Sequence, residues 1–313
     1  MLRSTALFLI LMSQVSGPAF AEVPKVMTDI APIQSLVARV MQGVGTPDVL
    51  LPPGASPHDF AMRPSDADRL ANADLIIWVG HGLTPWLEEP LGTLAPDAAK
   101  LELLDTTGWS MLQARADPEF AEEELHDDEA EAGHDDDHSG VDPHAWLDPS
   151  NAAVFMTLTA QALAAADPDN AATYSANAQA AQGEMASLKA ETLALLAPFA
   201  GGTYIVPHDA YQYFEAAFGM PAAGAISLTD ASTPGPSRVA ELRGKVASGA
   251  ITCVLTDPQT SPEWTEVLRD GSIANTAFVD PDGGSQAAGL DRPEDLYPAI
   301  IRQIAAGLAD CLG

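Results

Sequence analysis

The sequence predicts an α/β protein built from two lobes with mainly parallel sheets. In both halves of the chain, short apolar runs of strand length alternate with helical segments, which is the pattern of parallel sheets covered by helices. Between the halves, residues 169–196 are rich in Ala, Gln, Glu, Lys and Leu and contain no proline, so they predict one long helix. We expect this helix to join the two lobes as a rigid linker.

The first 21 residues have the composition of a secretory signal peptide. Arg3 provides a positive start, residues 6–12 form a short apolar run, and Ala19-Phe20-Ala21 matches an A-x-A cleavage site. We expect cleavage after Ala21 and export to the periplasm, without a lipid anchor because no cysteine lies near that site. No segment is long and apolar enough to cross a bilayer, so membrane insertion is not expected.

Residues 22–166 are predicted to form the N-terminal lobe. The segment Asp74–Val79 (DLIIWV) is a near-continuous apolar run, typical of a strand buried on both faces of a parallel sheet. Ser65 is a suitable N-cap for the helix before this strand. The predicted strands are 25–28, 48–51, 74–79 and 101–104, and the predicted helices are 32–41, 65–73 and 149–165.

Residues 199–313 repeat the alternation as a C-terminal lobe, which a linking helix over residues 167–198 joins to the first lobe. In open parallel sheets, ligands bind beyond the carboxyl ends of the strands, and between two lobes that region is a cleft. Functional side chains are therefore expected at strand ends. The predicted strands are 203–206, 222–226, 251–255 and 274–279, and the predicted helices are 210–218, 237–248, 261–269 and 293–312.

The chain is strongly acidic, with 44 Asp and Glu against 14 Lys and Arg and a formal net charge of −30. No Lys or Arg occurs between Ala116 and Leu188. This charge argues against nucleic acid as a partner, because binding to phosphates needs a cationic surface. It favours cations, which a negative field concentrates at the surface.

Residues 117–141 combine many carboxylates with three histidines, His126, His134 and His138. Because this segment has much like charge and little apolar surface, it is predicted to be a disordered loop. Its histidines and carboxylates would form auxiliary, low-affinity metal sites. A solvated acidic linker without metal is the alternative interpretation.

Four residues fall at predicted strand ends or in the loops that follow, two in each lobe: His58, His144, His208 and Asp280. Neutral imidazole nitrogens suit a borderline cation such as Zn²⁺, which prefers tetrahedral coordination. A single histidine in such a place is more often structural, but three in equivalent places indicate a metal site that bridges the lobes. His81 also ends a predicted strand, and two interpretations of it stay open: a metal contact or a part of a tight turn.

Each of the three histidines has a carboxylate close in sequence that would orient its ring. Such a partner fixes the tautomer and raises the basicity of the nitrogen that binds the metal. The predicted partners are Asp59 for the first histidine, Asp142 or Asp148 for the second and Asp209 for the third.

The two cysteines, Cys253 and Cys311, would be exported to an oxidising compartment, so we expect them to form a disulfide. The bridge would tie a predicted strand to the C-terminal helix. A zinc–thiolate site would need more thiols at closer spacing.

Four segments are distinctive: LLPPGASPHDFAMRPSDADRLANADLIIWVG, DPHAWLDPSNA, PHDAYQYFEAAFG and CVLTDPQTSPEW. With the long linking helix and the acidic histidine loop, they resemble the zinc-uptake ABC transporter substrate-binding proteins of the ZnuA type. The resemblance covers essentially the whole mature chain. It implies a two-lobed fold with a rigid helical linker, zinc in the inter-lobe cleft and delivery to a membrane permease.

The resemblance places the family's ligands on the same three histidines, and its paired cysteines on the two cysteines named above. Many zinc-binding members have Glu directly before the first ligand histidine, where this chain has Pro57. We therefore expect the fourth ligand to be Asp280, as in manganese and some zinc relatives, or water. A histidine at 208 favours zinc, because manganese relatives usually offer a carboxylate there.

The sequence thus predicts a monomeric zinc-binding protein, not an enzyme, that passes Zn²⁺ to an ABC importer. Two alternatives stay open. A three-histidine zinc hydrolase would need an open coordination position, a general base and a substrate pocket, and no HExxH motif occurs. A periplasmic zinc buffer would have the same site but no permease.

Overall fold

The computed structural model describes residues 23–120, 140–230 and 232–313. It confirms two α/β lobes, each with a four-stranded parallel sheet flanked by helices. The predicted signal peptide and the loop histidines His126, His134 and His138 lie outside the described residues. Within those residues, no helix combines the length and apolar character needed to span a bilayer.

The N-terminal lobe consists of strands β1 (Val26–Thr28), β2 (Asp48–Val49), β3 (Leu75–Trp78) and β4 (Ala99–Glu102) and helices α1 (Ala31–Val40), α2 (Pro64–Ala71) and α3 (Glu88–Thr93). The strand order is β2-β1-β3-β4, and β3 is buried along its whole length, as its apolar run predicts. Asp29 follows β1 and accepts hydrogen bonds from the amides of Ile30 (2.9 Å) and Val79 (2.8 Å). It thereby ties the carboxyl ends of β1 and β3 together.

The C-terminal lobe repeats this arrangement, with the strand order β6-β5-β7-β8. Its elements are β5 (Tyr204–His208), β6 (Ala225–Ser227), β7 (Cys253–Thr256), β8 (Asn275–Phe278), α6 (Gln212–Phe218), α7 (Pro236–Ala247), α8 (Pro262–Arg269), α9 (Gly284–Ala287) and α10 (Leu296–Leu312). In both lobes the first strand lies beside the point where the strand order reverses. That position is where open parallel sheets place their ligands.

Two helices, α4 (Pro149–Ala166) and α5 (Ala171–Leu196), pack against each other and connect the lobes. The Asp148 side chain caps α4 by accepting a hydrogen bond from the Ser150 amide (2.8 Å). With 26 residues, α5 spans roughly 39 Å at about 1.5 Å per residue. It contacts α1 of the first lobe and α10 of the second, so the predicted linking helix is confirmed.

The two lobes share one apolar core, which also includes α4 and α5. Hydrogen bonds cross between the lobes within this core. Trp146 Nε1 donates to the Pro281 carbonyl (3.2 Å), and the Tyr297 hydroxyl donates to the Trp146 carbonyl (2.7 Å). The Tyr297 amide donates to Ser35 Oγ of α1 (2.9 Å). The lobes are therefore packed together near the base of the cleft as well as joined by a linker.

Cys253 and Cys311 form the predicted disulfide, with their Cα atoms 5.5 Å apart. The bridge joins the first residue of β7 to the last turn of α10, and both cysteines are buried. It therefore lies at the amino end of the β7 strand.

Candidate metal centre

The three predicted histidines are held by three different kinds of local structure. His58 lies in the loop between β2 and α2, where its amide donates to Ser56 Oγ (3.2 Å) and Trp86 Nε1 donates to the Pro57 carbonyl (2.8 Å). His144 immediately precedes a 3₁₀ turn that leads into α4. His208 is the last residue of β5, a central and fully buried strand.

The structure brings the three imidazoles together in the cleft. The ring centroids of His58 and His144 are 5.5 Å apart, and those of His144 and His208 are 5.9 Å apart. Two imidazoles bound to one tetrahedral zinc by bonds of about 2.0–2.1 Å have centroids roughly 5 Å apart. Within the described ranges, no group of three His, Cys, Asp or Glu side chains is already arranged to hold a metal ion, so the rings would have to move closer to bind zinc.

Two of the rings are oriented by buried carboxylates. Asp142 Oδ1 lies 2.8 Å from His144 Nδ1 and also accepts from the His144 amide (3.0 Å). Asp257 Oδ2 lies 2.8 Å from His208 Nδ1. When both Nδ1 atoms donate to these carboxylates, the Nε2 atoms of His144 and His208 are free to accept a metal.

The predicted partner Asp142 is therefore confirmed, whereas Asp209 as partner of the third histidine is wrong. The Asp209 carboxylate instead binds the Arg115 guanidinium (2.7 Å), which also pairs with Glu215 (2.7 Å). Asp257 follows β7, the neighbour of β5 in the sheet, and takes the role predicted for Asp209. Asp148 orients no histidine; it caps α4 and pairs with Lys189 (2.9 Å).

Among the described residues, no carboxylate forms a hydrogen bond with the His58 ring, and the predicted partner Asp59 is exposed. The His58 Nε2 atom is buried and has no hydrogen-bond partner in the described part of the chain. A buried nitrogen without a partner costs free energy, so such atoms usually signal a missing water, ion or ligand.

Burial sets the charge state of this cluster. It lowers the pKa of His58 to about 3 and that of His144 to about 3, so both rings are neutral at physiological pH. Burial also acts to lower the pKa of His208, but the hydrogen bond and charge of Asp257 raise it on balance. The neutral imidazole is the form that binds a metal, so the first two ligands need lose no proton.

Asp280, the predicted fourth ligand, is fully buried and is the second residue after β8. Its Oδ1 accepts from the amides of Asp282 (3.2 Å) and Gly283 (2.9 Å), and its Oδ2 accepts from the Ser285 amide (2.7 Å). These contacts organise the turn before α9. Each carboxylate oxygen thus already has at least one donor.

Sequence reasoning missed two aspartates that act on the cluster. Asp230, in the loop after β6, influences the pKa of all three histidines through its charge, and Asp282 influences that of His208. Both follow strands of the C-terminal sheet by two to four residues. The rule that selected His208 and Asp280 would have found them, had it been applied to each residue of those loops.

A cavity of about 370 Å³ opens between the lobes at this cluster. His58, His81 and His144 line it from the N-terminal side, and Leu228 and Thr229 line it from the C-terminal side. His81 points toward another partner, since its Nδ1 lies 2.7 Å from Glu88 Oε2. The described residues thus form a small cleft that reaches two of the three converging imidazoles, His58 and His144.

The sequence of this chain matches a known protein family and several known proteins. The family model for the periplasmic component A of the zinc-uptake complex matches residues 26–311 of the chain. The high-affinity zinc uptake system protein ZnuA of Paracoccus denitrificans is 39% identical, over 95% of this chain and 94% of that protein. The protein of the same name from Yersinia pestis is 30% identical, over 92% and 91% of the two chains.

Solved structures show the same fold. A crystal structure of ZnuA superposes with a TM-score of 0.76 at 20% identity, covering 93% of this chain and 100% of that one. The periplasmic zinc-binding protein TroA of Treponema pallidum gives 0.74 at 21% identity, with the same coverage. At these identities the likeness supports the architecture of two lobes and a linking helix.

Proposed function

This chain belongs to the family of the periplasmic zinc-uptake complex component A, and on that premise we propose that it captures Zn²⁺ and passes it to an ABC importer. The observation that carries the proposal is the convergence of three imidazoles from both lobes, of which His144 and His208 are buried and His58 is half-buried. Two of them have carboxylates at Nδ1, which is the usual arrangement of histidine ligands to zinc.

In this proposal His58 and His144 are the ligands from the N-terminal lobe and His208 is a ligand from the C-terminal lobe. Asp142 and Asp257 hold two of the rings so that Nε2 faces the ion. The first two imidazoles are already neutral, so zinc competes there with no bound proton. Because the ion is cargo, the site needs tight binding without a permanently open position for a substrate.

The fourth donor is proposed to be a carboxylate. Asp280 is the residue predicted from the sequence, and ligation by it would have to use an oxygen that also accepts an amide hydrogen bond. Asp230 is a second candidate, because its charge acts on all three histidines.

The cellular setting is proposed from the sequence together with the family. We infer that the chain is exported with cleavage after Ala21, acts in the periplasm as a monomer and meets the permease of an ABC importer. The acidic segment with His126, His134 and His138 is proposed to bind additional zinc weakly. Nucleic acid and direct membrane insertion are not part of this function.

The histidine site is tested by changing each ligand singly to alanine. His58→Ala, His144→Ala and His208→Ala should each weaken zinc binding by several kcal/mol, because four ligands share a binding free energy of roughly 10–16 kcal/mol. Competition with a chromogenic chelator on metal-free protein measures this. His81→Ala is the matched control and should leave the affinity unchanged, since His81 pairs with Glu88 instead.

Unchanged zinc affinity in all three ligand variants would refute the site. Transport is tested separately, by asking whether the gene restores growth of a zinc-uptake mutant under chelation. Tight binding without restored growth would point to a zinc buffer. Hydrolysis of ester or lactam probes by the zinc-loaded protein, lost in the histidine variants, would point to a hydrolase.

A further inference from the structure

Asp230 is a half-buried residue whose carboxylate has no hydrogen-bond partner among the described residues. Both Oδ1 and Oδ2 are inaccessible to solvent, and neither has a donor within the described residues. Leaving a buried polar group unpaired costs about 1–3 kcal/mol, and more when the group is charged. A carboxylate in this position therefore indicates a cation that binds there.

The backbone places Asp230 next to the third histidine. His208 at the end of β5 pairs in register with Ser227 of β6, and the Asp209 amide continues the pairing by donating to the Leu228 carbonyl (3.3 Å). Asp230 follows two residues later, in a turn closed by the Ser232 amide and the Thr229 carbonyl (3.2 Å). This loop is thus an extension of the strand edge that carries His208.

Leu228 and Thr229 of the same loop line the cavity that His58 and His144 also line. Burial lowers the pKa of His58 and His144, and the charge of Asp230 opposes that effect at both rings. It also contributes to the raised pKa of His208. The loop that carries Asp230 thus lies beside the strand end with His208 and along the cavity lined by His58 and His144.

The other buried aspartates around the site have donors already. Asp142 and Asp257 accept from histidine ring nitrogens. Asp282 Oδ2 accepts from Gln259 Nε2 (2.7 Å), and both oxygens of Asp280 accept from backbone amides. Asp230 differs from these four because both of its oxygens remain available.

We propose that Asp230 is the fourth ligand of the bound Zn²⁺. The inference rests on the proposed function, and it assigns two ligands to each lobe: His58 and His144 from the first, His208 and Asp230 from the second. A carboxylate ligand offsets part of the ionic charge and completes the tetrahedral set that closed zinc sites prefer. Asp280 then serves to hold the turn before α9.

The test compares Asp230→Asn with Asp280→Asn by zinc titration and by the visible absorption of the Co²⁺-substituted protein, which reports the ligand set. Asp230→Asn should weaken zinc binding at least tenfold, about the smallest effect of changing even an outer partner of a metal ligand. Its Co²⁺ spectrum should also change. Asp280→Asn should keep the wild-type Co²⁺ spectrum and lower the melting temperature. Asp105→Asn, at an exposed site, controls for the loss of one negative charge.

A wild-type spectrum and affinity for Asp230→Asn would overturn the assignment, as would a changed spectrum for Asp280→Asn alone. Melting curves of the metal-free variants separate loss of a ligand from loss of folding. The histidine variants show whether only the fourth ligand or the whole proposed site is wrong. If they lose zinc while Asp230→Asn does not, only the fourth ligand is wrong; if they also keep zinc, the proposed site is wrong.

Discussion

A histidine that binds a metal through Nε2 depends on the group at its Nδ1, because that group sets the tautomer and the basicity of the ring. His144 has this group two residues earlier, in Asp142, whereas His208 has it 49 residues later, in Asp257. Asp257 is itself fixed, since its Oδ1 accepts from the Thr260 amide (2.7 Å). The position of the third imidazole therefore depends on the contact between β5 and β7.

The Asp257→Asn variant tests this dependence. It removes the charge that stabilises the Nδ1–H tautomer of His208, so we expect zinc affinity to fall about 10- to 100-fold. Chelator competition at neutral pH measures the change. The raised pKa of His208 should also fall, so zinc binding should depend less on pH in the mildly acidic range.

Asp148→Asn is the matched control for that substitution. Asp148 was the alternative partner predicted for His144, but it caps α4 and orients no imidazole. Because asparagine caps a helix about as well as aspartate, the free energy of unfolding should change little, and zinc affinity should stay unchanged. Equal losses of zinc affinity in both variants would show that Asp257 acts only through general charge or stability.

For single residues, the sequence predicts partners that are close along the chain and misses partners that are distant along it. Asp142 is found because it lies two residues from its histidine. Asp257 is missed because the pairing of β5 with β7 has no signature in a single sequence. Asp209 lies next to His208 but turns toward Arg115, whose approach from the other lobe is equally invisible.

At the level of secondary structure, the bounds of the buried strands are predicted within a few residues, because a short continuous apolar run has few other interpretations. The short helices α3 and α9 are missed. The α3 segment contains both Pro90 and Gly92, and α9 follows Gly283, whose backbone has a φ of +72°. Such residues indicate turns, and the contacts that stabilise one helical turn come from the rest of the fold.

The disulfide gives a prediction for one pair of elements, β7 and α10. Replacing both cysteines by alanine removes a bridge that closes a separation of 58 residues. In the chain-entropy model this lowers the free energy of unfolding by about 4 kcal/mol. Zinc affinity should not change, because Cys253 begins β7 whereas Asp257 follows its other end.

Denaturant unfolding of the metal-free double variant measures the stability, and chelator competition measures zinc binding. Reduction of the wild-type protein should reproduce the stability loss. A large loss of zinc affinity in the folded variant would mean that the bridge also positions the carboxyl end of β7.

For the whole molecule, the alternation of strands and helices predicts the two lobes and the linking helix correctly. It does not predict that the lobes share a core, because the pattern shows which faces are apolar but not which faces meet. The contacts of Trp146 and Tyr297 across the lobes are of this second kind. The acidic segment also concerns the whole molecule, because described residues at its ends contact both lobes.

Replacing residues 121–139 by a short Gly/Ser linker tests the division between the central site and the acidic segment. Glu119 and Phe120 are kept because they contact Arg238 and Arg115. Zinc titration should lose the weak equivalents and keep one tight site, because none of the proposed ligands of the central site lies in the replaced segment. Loss of the tight site in a folded variant would instead make the acidic segment a source of primary ligands.

The apolar core that the two lobes share also affects how fast an ion can leave. Separating the lobes widely would expose the surfaces around Trp146 and Tyr297, which are fully buried. On the proposed function, we therefore expect the residence time of zinc to be set by successive exchange of individual ligand bonds at the mouth of the cleft. A receiving protein would have to offer replacement donors one at a time, and the transfer rate would depend on its ligands more than on any hinge.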